Sequence, residues 1–399
     1  MTRIAHQSEG HPSVDDVDVR ALYSKSTYQA LTSDGWALAV TRYQPVPQAF
    51  PQPLLGEPVL LVHGFSQNRH TWSSGQLVKN LLYFGLDLHL LELRGHGKSS
   101  VEAQRARSRA HQTRLPEDID FGWDIDSYFL EDVPAGVAAV KATTQRERIF
   151  YCGHSMGGML GYGYAGQHTD LAGLVTIGAA SDLGHVSPLL RTVAFGAPLI
   201  GAGVDGFLKA RGVAGRVLAR FTGRAASAPQ PFRSLPLDVG FRMMEQWLAQ
   251  AEASQLLQGV AKRTAWLSNP ERVHAQDVRW LLRQGGEPEP RKVVEQFARW
   301  IRRNEMKCYR TGYDFKAGFQ NISIPTAIIF GDMDPLASVD STRSVYRAAK
   351  SQYLLWRPVK GNSHLELTMG HDIRQICYDI KNLIEYAKTH GTKTPALPS

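Results

Sequence analysis

The sequence predicts an α/β protein in which helices cover both faces of a mostly parallel sheet. Short apolar runs alternate with longer helical patterns over much of the 399 residues, and this alternation is typical of parallel strands joined by crossover helices. A second observation is the direct succession of an apolar strand, a glycine-rich turn and an apolar helix at residues 148–165. The third is that polar, chemically competent residues follow several of the predicted strands, as in open α/β sheets.

The predicted strands begin with a hairpin, because a Ser-Asp-Gly turn signal separates its two runs. In chain order the predicted strands are residues 28–31, 36–43, 59–62, 86–91, 148–152, 174–178, 326–331 and 353–356. Helical periodicity marks residues 125–143 and about 372–388, which lie within the same alternating pattern.

The alternation stops between residues 183 and 321, where helical patterns such as 240–255 and 291–303 dominate and no clear strand is evident. We therefore predict a helical cap inserted into one α/β core. The predicted segments are a flexible N-terminal segment (1–20), the first part of the core (21–182), the cap (183–321), the second part of the core (322–390) and a C-terminal tail (391–399). Apolar residues at 188–195 and 207–208 either line a substrate pocket or dock the cap onto the core.

The net charge of +8 is concentrated in the predicted cap, where 21 Lys and Arg face 11 Asp and Glu, so the rest of the chain is at −2. A solvated Arg-rich helical face, as at 299–303, is the favoured interpretation; weak association with an anionic membrane surface stays open. We find no nucleic-acid module, zinc-ligand spacing or phosphate loop, and thus expect no nucleic-acid partner, metal or cofactor. The oligomeric state stays undetermined.

Three observations favour a cytoplasmic location. Residues 1–8 lack the apolar run of a secretory signal, and no apolar stretch reaches the roughly 18–20 residues that span a bilayer. The three cysteines (Cys152, Cys308 and Cys377) are far apart and odd in number, which fits a reducing compartment better than a disulfide framework.

The glycine-rich turn carries the strongest chemical signal, because residues 153–157 spell G-x-S-x-G between a strand and a helix. In this context the pattern predicts a nucleophile elbow, a sharp turn that exposes the hydroxyl of Ser155 and needs small neighbours. The alternative is a tight glycine-rich turn without catalytic function. A serine hydroxyl also needs a base and an acid that orients the base.

The expected chain order of such a triad is serine, acid, histidine. Asp334 follows the strand at 326–331, and His364 lies between the last strand and the last helix. We predict these two as acid and base. The rival acids are Asp332, which we expect to bond a turn, and Asp182; the rival base is His371, which we expect to be structural.

The oxyanion of an acyl-transfer intermediate needs two donors in fixed positions. We predict the backbone N–H groups of Met156, at a helix N-terminus, and Phe65, after the strand at 59–62. The neighbouring His63, Gly64 and His154 are predicted to contact substrate. For His63 and Gly64 the alternative is an ordinary turn at a strand end.

At these motifs the chain resembles the α/β-hydrolase superfamily, over most of its length outside the insertion. Four motifs carry the resemblance: His63-Gly64, Arg94–Gly97, Gly153–Gly157 and the pair Asp334 and His364. A narrower likeness to acid lipases covers residues 121–135 and 364–367, and polyhydroxyalkanoate synthases share a segment related to the first of these. Those synthases carry cysteine at the elbow, and dehalogenases and epoxide hydrolases carry aspartate, whereas this chain has Ser155.

The resemblance implies a serine esterase or lipase that acts on apolar acyl esters without a cofactor, with Ser155, Asp334 and His364 as nucleophile, acid and base. Two alternatives stay open. An acyltransferase or thioesterase would use the same triad, and a catalytically inactive hydrolase fold would serve as a binding protein.

Overall fold

The computed structural model describes residues 18–50, 54–188, 191–192, 194–195, 233–252 and 267–391. Within these residues, eight strands form one sheet and two short strands form another. The strands are β1 (Tyr23–Leu31), β2 (Ala37–Pro45), β3 (Pro58–Val62), β4 (Asp87–Leu91), β5 (Ile149–His154), β6 (Leu171–Ile177), β7 (Ser234–Leu235), β8 (Glu289–Pro290), β9 (Thr326–Gly331) and β10 (Leu354–Val359).

The large sheet has the strand order β1-β2-β4-β3-β5-β6-β9-β10. The pairs β1–β2 and β2–β4 are antiparallel, and every other pair of neighbours is parallel. Each strand predicted in the core is present, and the prediction of a mostly parallel sheet is confirmed. The parallel strands end on one edge of the sheet, where the loops that follow them meet.

Helices cover both faces of this sheet, and further helices lie in the chain between β6 and β9. They are α1 (His70–Ser73), α2 (Leu77–Tyr83), α3 (Val101–His111), α4 (Ile125–Ser127), α5 (Val133–Thr144), α6 (Met156–Ala165), α7 (Leu237–Glu252), α8 (Ala275–Gln284), α9 (Arg291–Arg303), α10 (Phe315–Gly318), α11 (Arg343–Ala348), α12 (Glu366–Met369) and α13 (Ile373–His390). Short 3₁₀ helices cover Val19–Leu22, Pro47–Ala49, Gly97–Ser99, Leu183–His185 and Phe319–Asn321. None of the helices in the described ranges combines the length and apolar character needed to cross a membrane.

The core consists of two large apolar clusters, one on each face of the sheet. Leu60 and Val62 of β3 pack into the cluster on the α5 and α6 side, whereas Val59 and Leu61 pack into the cluster with α2 and α13. Because successive side chains of a strand point to opposite faces, a strand covered on both faces must be apolar at every position. All five residues of β3 are accordingly buried.

The helix predicted at residues 125–143 is present, but a wide π-helical turn at Tyr128–Asp132 separates α4 from α5. Pro134 stands at the start of α5, where it lacks an N–H and its ring crowds the preceding turn. Helix α3 was not predicted, since Val101 and Gln104 are its buried residues and it offers no apolar stripe.

The segment between the adjacent strands β6 and β9, residues 178–325, is called the β6–β9 segment below. It contains α7, α8 and α9 and also the two-residue strands β7 and β8, which pair antiparallel. Two residues are too short to leave a period-two pattern, so these strands could not be read from the sequence. The cap boundaries at 183 and 321 stay predictions, and residues 207–208, 1–17 and 392–399 lie outside the described residues.

Candidate active site

The G-x-S-x-G turn places Ser155 between β5 and α6 with φ of 52° and ψ of −120°. This backbone conformation is strained for a residue with a side chain and persists only where its surroundings hold it. Here the Ser155 N–H donates to the Ile177 carbonyl at 2.8 Å, and the Ser155 carbonyl accepts from Met159 at 3.1 Å. The end of β6 and the first turn of α6 therefore hold the serine.

Two glycines of the turn are required by close backbone approaches. A Cβ atom at Gly153 would lie 2.4 Å from the backbone of Gly157, and a Cβ at Gly157 would lie 2.2 Å from the Val62 carbonyl oxygen. Because these neighbours are backbone atoms that cannot move aside, any larger residue would displace β3 or α6. The strand, turn and helix thus have the compact geometry that an exposed nucleophile requires.

His364 and Asp334 form a buried hydrogen-bonded pair. His364 Nδ1 lies 2.7 Å from Asp334 Oδ2, and the side chains of both residues are almost fully buried. The other carboxylate oxygen, Oδ1, accepts from the N–H groups of Leu336 at 2.8 Å and Ala337 at 3.0 Å. The loop after β9 therefore fixes the carboxylate, and the carboxylate orients the imidazole.

The rival residues lie in other environments. Asp332 accepts the Gly361 N–H at 2.7 Å in an exposed turn, and Asp182 binds Lys316 at 3.1 Å. The ring of His371 packs against His274 with 4.7 Å between centroids. The geometry brings Asp334 and His364 together, and none of the three rivals contacts either of them among the described residues.

The His364 pair and the elbow converge on the same edge of the sheet. The ring of His364 lies 4.8 Å from the ring of His154, the residue before Ser155. A Cβ atom at Gly178, directly after β6, would lie 3.2 Å from His364 Cε1. A Cβ at Gly64 would lie 2.9 Å from the Cβ of Ser155, which shows how closely the loop after β3 approaches the serine.

The two predicted oxyanion donors are the N–H groups of Phe65, in the loop after β3, and of Met156, directly after Ser155. Met156 is the first residue of α6, so its N–H has no partner within the helix. In the described part of the chain neither this N–H nor that of Phe65 donates to an acceptor. Both are therefore available to a ligand oxygen.

Comparison with known proteins agrees with this architecture. A family model described as the alpha/beta hydrolase fold matches residues 57–217. Lipase member M of Homo sapiens is 28% identical over 171 residues, which cover 41% of this chain and 37% of the human protein. The tear acid lipase-like protein of Mesocricetus auratus is 21% identical over 392 residues, covering 92% of this chain and 89% of its own.

The structure of DcsB in complex with its substrate analogue shares the fold, with a TM-score of 0.54, 12% identity and coverage of 91% of this chain and 100% of that one. The chain has the α/β-hydrolase fold. Its similarity is to proteins of the lipase and esterase type, as its sequence motifs predicted. The alignment with lipase member M spans little more than a third of that protein.

Two histidines that we predicted to contact substrate, His63 and His154, are buried and face other residues of the protein. His63 Nδ1 lies 2.9 Å from the Gly64 carbonyl, and its Nε2 accepts from the Leu93 N–H at 3.1 Å. Burial, with His96 close by, lowers the pKa of His63 to about 3, so the ring is neutral. These bonds give His63 a role in joining the loops after β3 and β4, and its contact with substrate stays a prediction.

His154 is also buried, and its Nδ1 lies 3.3 Å from Gln67 Oε1. Its Nε2 has no hydrogen-bond partner among the described residues. Burial, together with the adjacent His364, holds the pKa of His154 well below its usual value. The neutral ring packs against His364, and its predicted contact with substrate likewise stays a prediction.

We did not predict from the sequence that the β6–β9 segment forms hydrogen bonds with two loops of the candidate site, the loop around His364 and the loop after β3. The His364 N–H donates to the Leu267 carbonyl at 3.2 Å, and the buried Glu366 carboxylate accepts the N–H of Asn269 at 2.6 Å. On the other side, Glu289 accepts the Ser66 N–H at 2.6 Å. The signal available for Glu289 was weak: it is one of two glutamates that alternate with prolines at 287–290, and glutamate is seldom fully buried.

Proposed function

We propose that this α/β-hydrolase cleaves carboxylic esters of apolar acyl groups, with Ser155 as nucleophile, His364 as base and Asp334 as the acid that orients it. The observation that carries the proposal is the 2.7 Å hydrogen bond between His364 Nδ1 and Asp334 Oδ2, buried beside a serine in a strained strand-to-helix turn. A hydrogen-bonded acid and base next to a serine is the arrangement by which a hydroxyl becomes a nucleophile.

In this mechanism the ionised Asp334 carboxylate accepts a hydrogen bond from the Nδ1–H of His364, which fixes the tautomer and leaves Nε2 as the base. Nε2 takes the hydroxyl proton as Ser155 Oγ attacks the ester carbonyl carbon. The N–H groups of Phe65 and Met156 hold the oxyanion of the tetrahedral intermediate. His364 then protonates the leaving alcohol as its bond to the acyl carbon breaks, and afterwards activates a water molecule that releases the acyl group.

The substrate class follows from the relatives and from the surface of the β6–β9 segment. Both relatives described above are named as lipases. Helix α7 exposes three large apolar side chains, Val239, Met243 and Met244, and Phe195 is also exposed. Such a surface suits lipid-like esters better than small polar ones.

The basic character of the same segment supports weak association with an anionic membrane surface. The test is the rate of hydrolysis with and without vesicles of anionic lipid; equal rates would refute the association. The reducing compartment that we propose, the cytoplasm, is supported by Cys152, Cys308 and Cys377, which are buried and not disulfide-bonded.

The decisive experiment measures the hydrolysis of p-nitrophenyl esters from acetate to palmitate by the wild type and by Ser155→Ala. We expect wild-type activity with an optimum at medium or long chains, and a loss of kcat on the order of 10⁴-fold or more in the variant. The matched control is Ser26→Ala, which removes an exposed hydroxyl from β1 and leaves kcat unchanged. Wild-type protein that is inactive on every ester, or full activity in Ser155→Ala, would refute the proposal.

A further inference from the structure

A short stretch of the β6–β9 segment, residues 284–290, runs along the loops that follow β3 and β4. The Glu287 N–H donates to the Ser66 carbonyl at 3.0 Å, and the Ser66 hydroxyl donates to the Glu287 carbonyl. Asn68 Nδ2 donates to the Gln284 carbonyl at 2.9 Å and to Glu287 Oε1 at 2.6 Å. The stretch is therefore bonded to the chain directly after Phe65.

The Glu289 carboxylate is the buried charged group of this stretch. It is fully buried, and its Oε1 accepts the backbone N–H of Ser66 at 2.6 Å and lies 3.2 Å from His96 Nε2. Its Oε2 accepts the hydroxyl of Tyr128 at 3.2 Å. One carboxylate thus joins the loop after β3, the loop after β4 and the π-helical turn.

The bond to Ser66 has a direct consequence for Phe65. Ser66 has a φ of 55°, a left-handed conformation that serine seldom adopts. The Ser66 N–H belongs to the peptide plane that follows Phe65, so an acceptor fixed at that N–H limits the rotation of Phe65. Without the acceptor, the loop would lose the contact that holds its unusual conformation.

Burial of a carboxylate is costly unless hydrogen bonds and a positive charge compensate it. Here the compensating charge is His96, whose Nδ1 lies 2.8 Å from the Arg94 carbonyl and whose Nε2 faces Glu289. Both nitrogens donate when the ring is charged. Burial alone would lower the pKa of His96, but the Glu289 carboxylate, aided by Glu287, raises it to about 8.

Two titratable rings also lie beside His96 in the described part of the chain: His63, with 5.1 Å between ring centroids, and Tyr128, at 6.0 Å. His63 is neutral, since its pKa is lowered to about 3, and burial raises the pKa of Tyr128 well above its usual value. Glu289 is accordingly the principal charge partner of His96, and the charge of Glu287 adds to its effect.

We propose that Glu289 is a positioning residue of the active site: it holds the peptide plane after Phe65 and thereby keeps the Phe65 N–H aimed at the oxyanion. The role rests on the proposed ester hydrolysis. It assigns to the β6–β9 segment a part in assembling the oxyanion hole from a residue more than 220 positions away from Phe65 in the chain.

The test compares Glu289→Gln with Glu287→Gln. Both changes remove one negative charge from the same stretch, but the carboxylate of Glu287 contacts Asn68 and Gly97 and not the Ser66 N–H. For Glu289→Gln we expect kcat to fall about 10- to 100-fold with KM changed less than about threefold, because a misdirected donor weakens the bond to the transition state. For Glu287→Gln we expect kcat within about threefold of the wild type.

Hydrogen–deuterium exchange of the peptide covering residues 63–69 gives a second readout that needs no substrate. Exchange faster than in the wild type and in Glu287→Gln is expected for Glu289→Gln. Unchanged kcat, or unchanged exchange, in Glu289→Gln would overturn the positioning role, and so would an equal loss in both variants. Wild-type protein inactive on all esters would refute the ester hydrolysis instead, while the exchange comparison would still decide whether Glu289 holds the loop.

If Glu289→Gln does not fold, Tyr128→Phe replaces it in both measurements. This change removes the hydrogen bond to Glu289 Oε2 and keeps the buried ring. A smaller loss of kcat, about two- to fivefold at unchanged KM, is then expected, at the lower end of what one hydrogen bond contributes. A wild-type kcat with wild-type exchange would overturn the proposal.

Discussion

The turn at Ser155, the proposed nucleophile, and the loop at Phe65, the proposed oxyanion donor, are adjacent, but they maintain their unusual backbone conformations by different means. Ser155, with φ of 52°, is held by β6 and by the first turn of α6. Ser66, with φ of 55°, is held by the Glu289 carboxylate and by the backbone of Glu287, both in the β6–β9 segment. The conformation of Ser155 therefore depends on the sheet core alone. The conformation of Ser66 depends on a segment that lies more than 220 residues later in the chain.

The same division holds for the acid and the histidine. Asp334 is fixed by two N–H groups of its own loop, those of Leu336 and Ala337. The His364 N–H donates to Leu267, in the β6–β9 segment. Ser155 and Asp334 are thus held by contacts within the core. The loop at Ser66 and the backbone of His364 are held by contacts with the segment that is predicted to cap the site.

The largest effect is expected at Asp334, which its own loop holds and which we propose orients His364 as the base. Asp334→Asn keeps the shape of the side chain but presents an uncharged group to His364, so we expect kcat to fall about 10⁴-fold. The measurement is kcat on the preferred p-nitrophenyl ester.

Asp332→Asn is the matched control for this change. Asp332 lies two residues away and accepts the Gly361 N–H, a bond that the asparagine oxygen preserves. We expect kcat within about threefold of the wild type, since the turn is exposed and away from His364. Comparable losses in the two variants would show that Asp334 is not the acid.

A second large effect is expected from crowding the elbow itself. Gly157→Val would place side-chain atoms where a Cβ alone comes within 2.2 Å of the Val62 carbonyl oxygen. We expect a loss of about 3–5 kcal/mol in the free energy of unfolding, together with the loss of activity. Urea denaturation followed by circular dichroism measures the first quantity.

Gly240→Ala serves as the control, because a Cβ at Gly240 in α7 meets no atom within 4 Å. Alanine in a helix should raise the stability by about 0.5–1 kcal/mol and leave the activity unchanged. Wild-type stability in Gly157→Val would contradict the tight approach of α6 to β3.

The smallest expected effect is the contribution of the His96–Glu289 pair to stability, which depends on pH. The pKa of His96 is raised in the folded state to about 8, above its ordinary value of about 6.5. The folded state therefore binds this proton more tightly, and the resulting stability is complete below about pH 6.5 and is lost as the pH rises through about 8. The contribution is at most about 2 kcal/mol.

Urea denaturation of the wild type and of Glu289→Gln between pH 6 and pH 9 measures this contribution. We expect the wild type to lose stability over this range relative to the variant, in which the neutral amide no longer holds the His96 proton. Parallel curves for the two proteins would show that Glu289 does not carry the charge that His96 pairs with.

Much of the core could be read directly from the sequence, because a buried parallel strand needs an unbroken apolar run and an elbow needs glycine on both sides of the nucleophile. The runs at β3, β5 and β9 and the glycines around Ser155 meet these local requirements. Helix α3 and the π-helical turn were missed, since a helix with two buried residues has no stripe and Pro134 changes the helical pitch only locally.

The sequence by itself determined the sheet, the elbow and the pairing of a late aspartate with a late histidine, because these depend on short-range patterns and on chain order. The sequence favoured Asp334 over Asp332, because an aspartate at the place of Asp332 in a turn usually bonds the backbone, and only the tertiary structure showed the 2.7 Å contact of Asp334 with His364. It also decided that Glu289 reaches Ser66. A contact between residues so far apart depends on how the β6–β9 segment docks, and no periodicity or motif in the chain encodes that position.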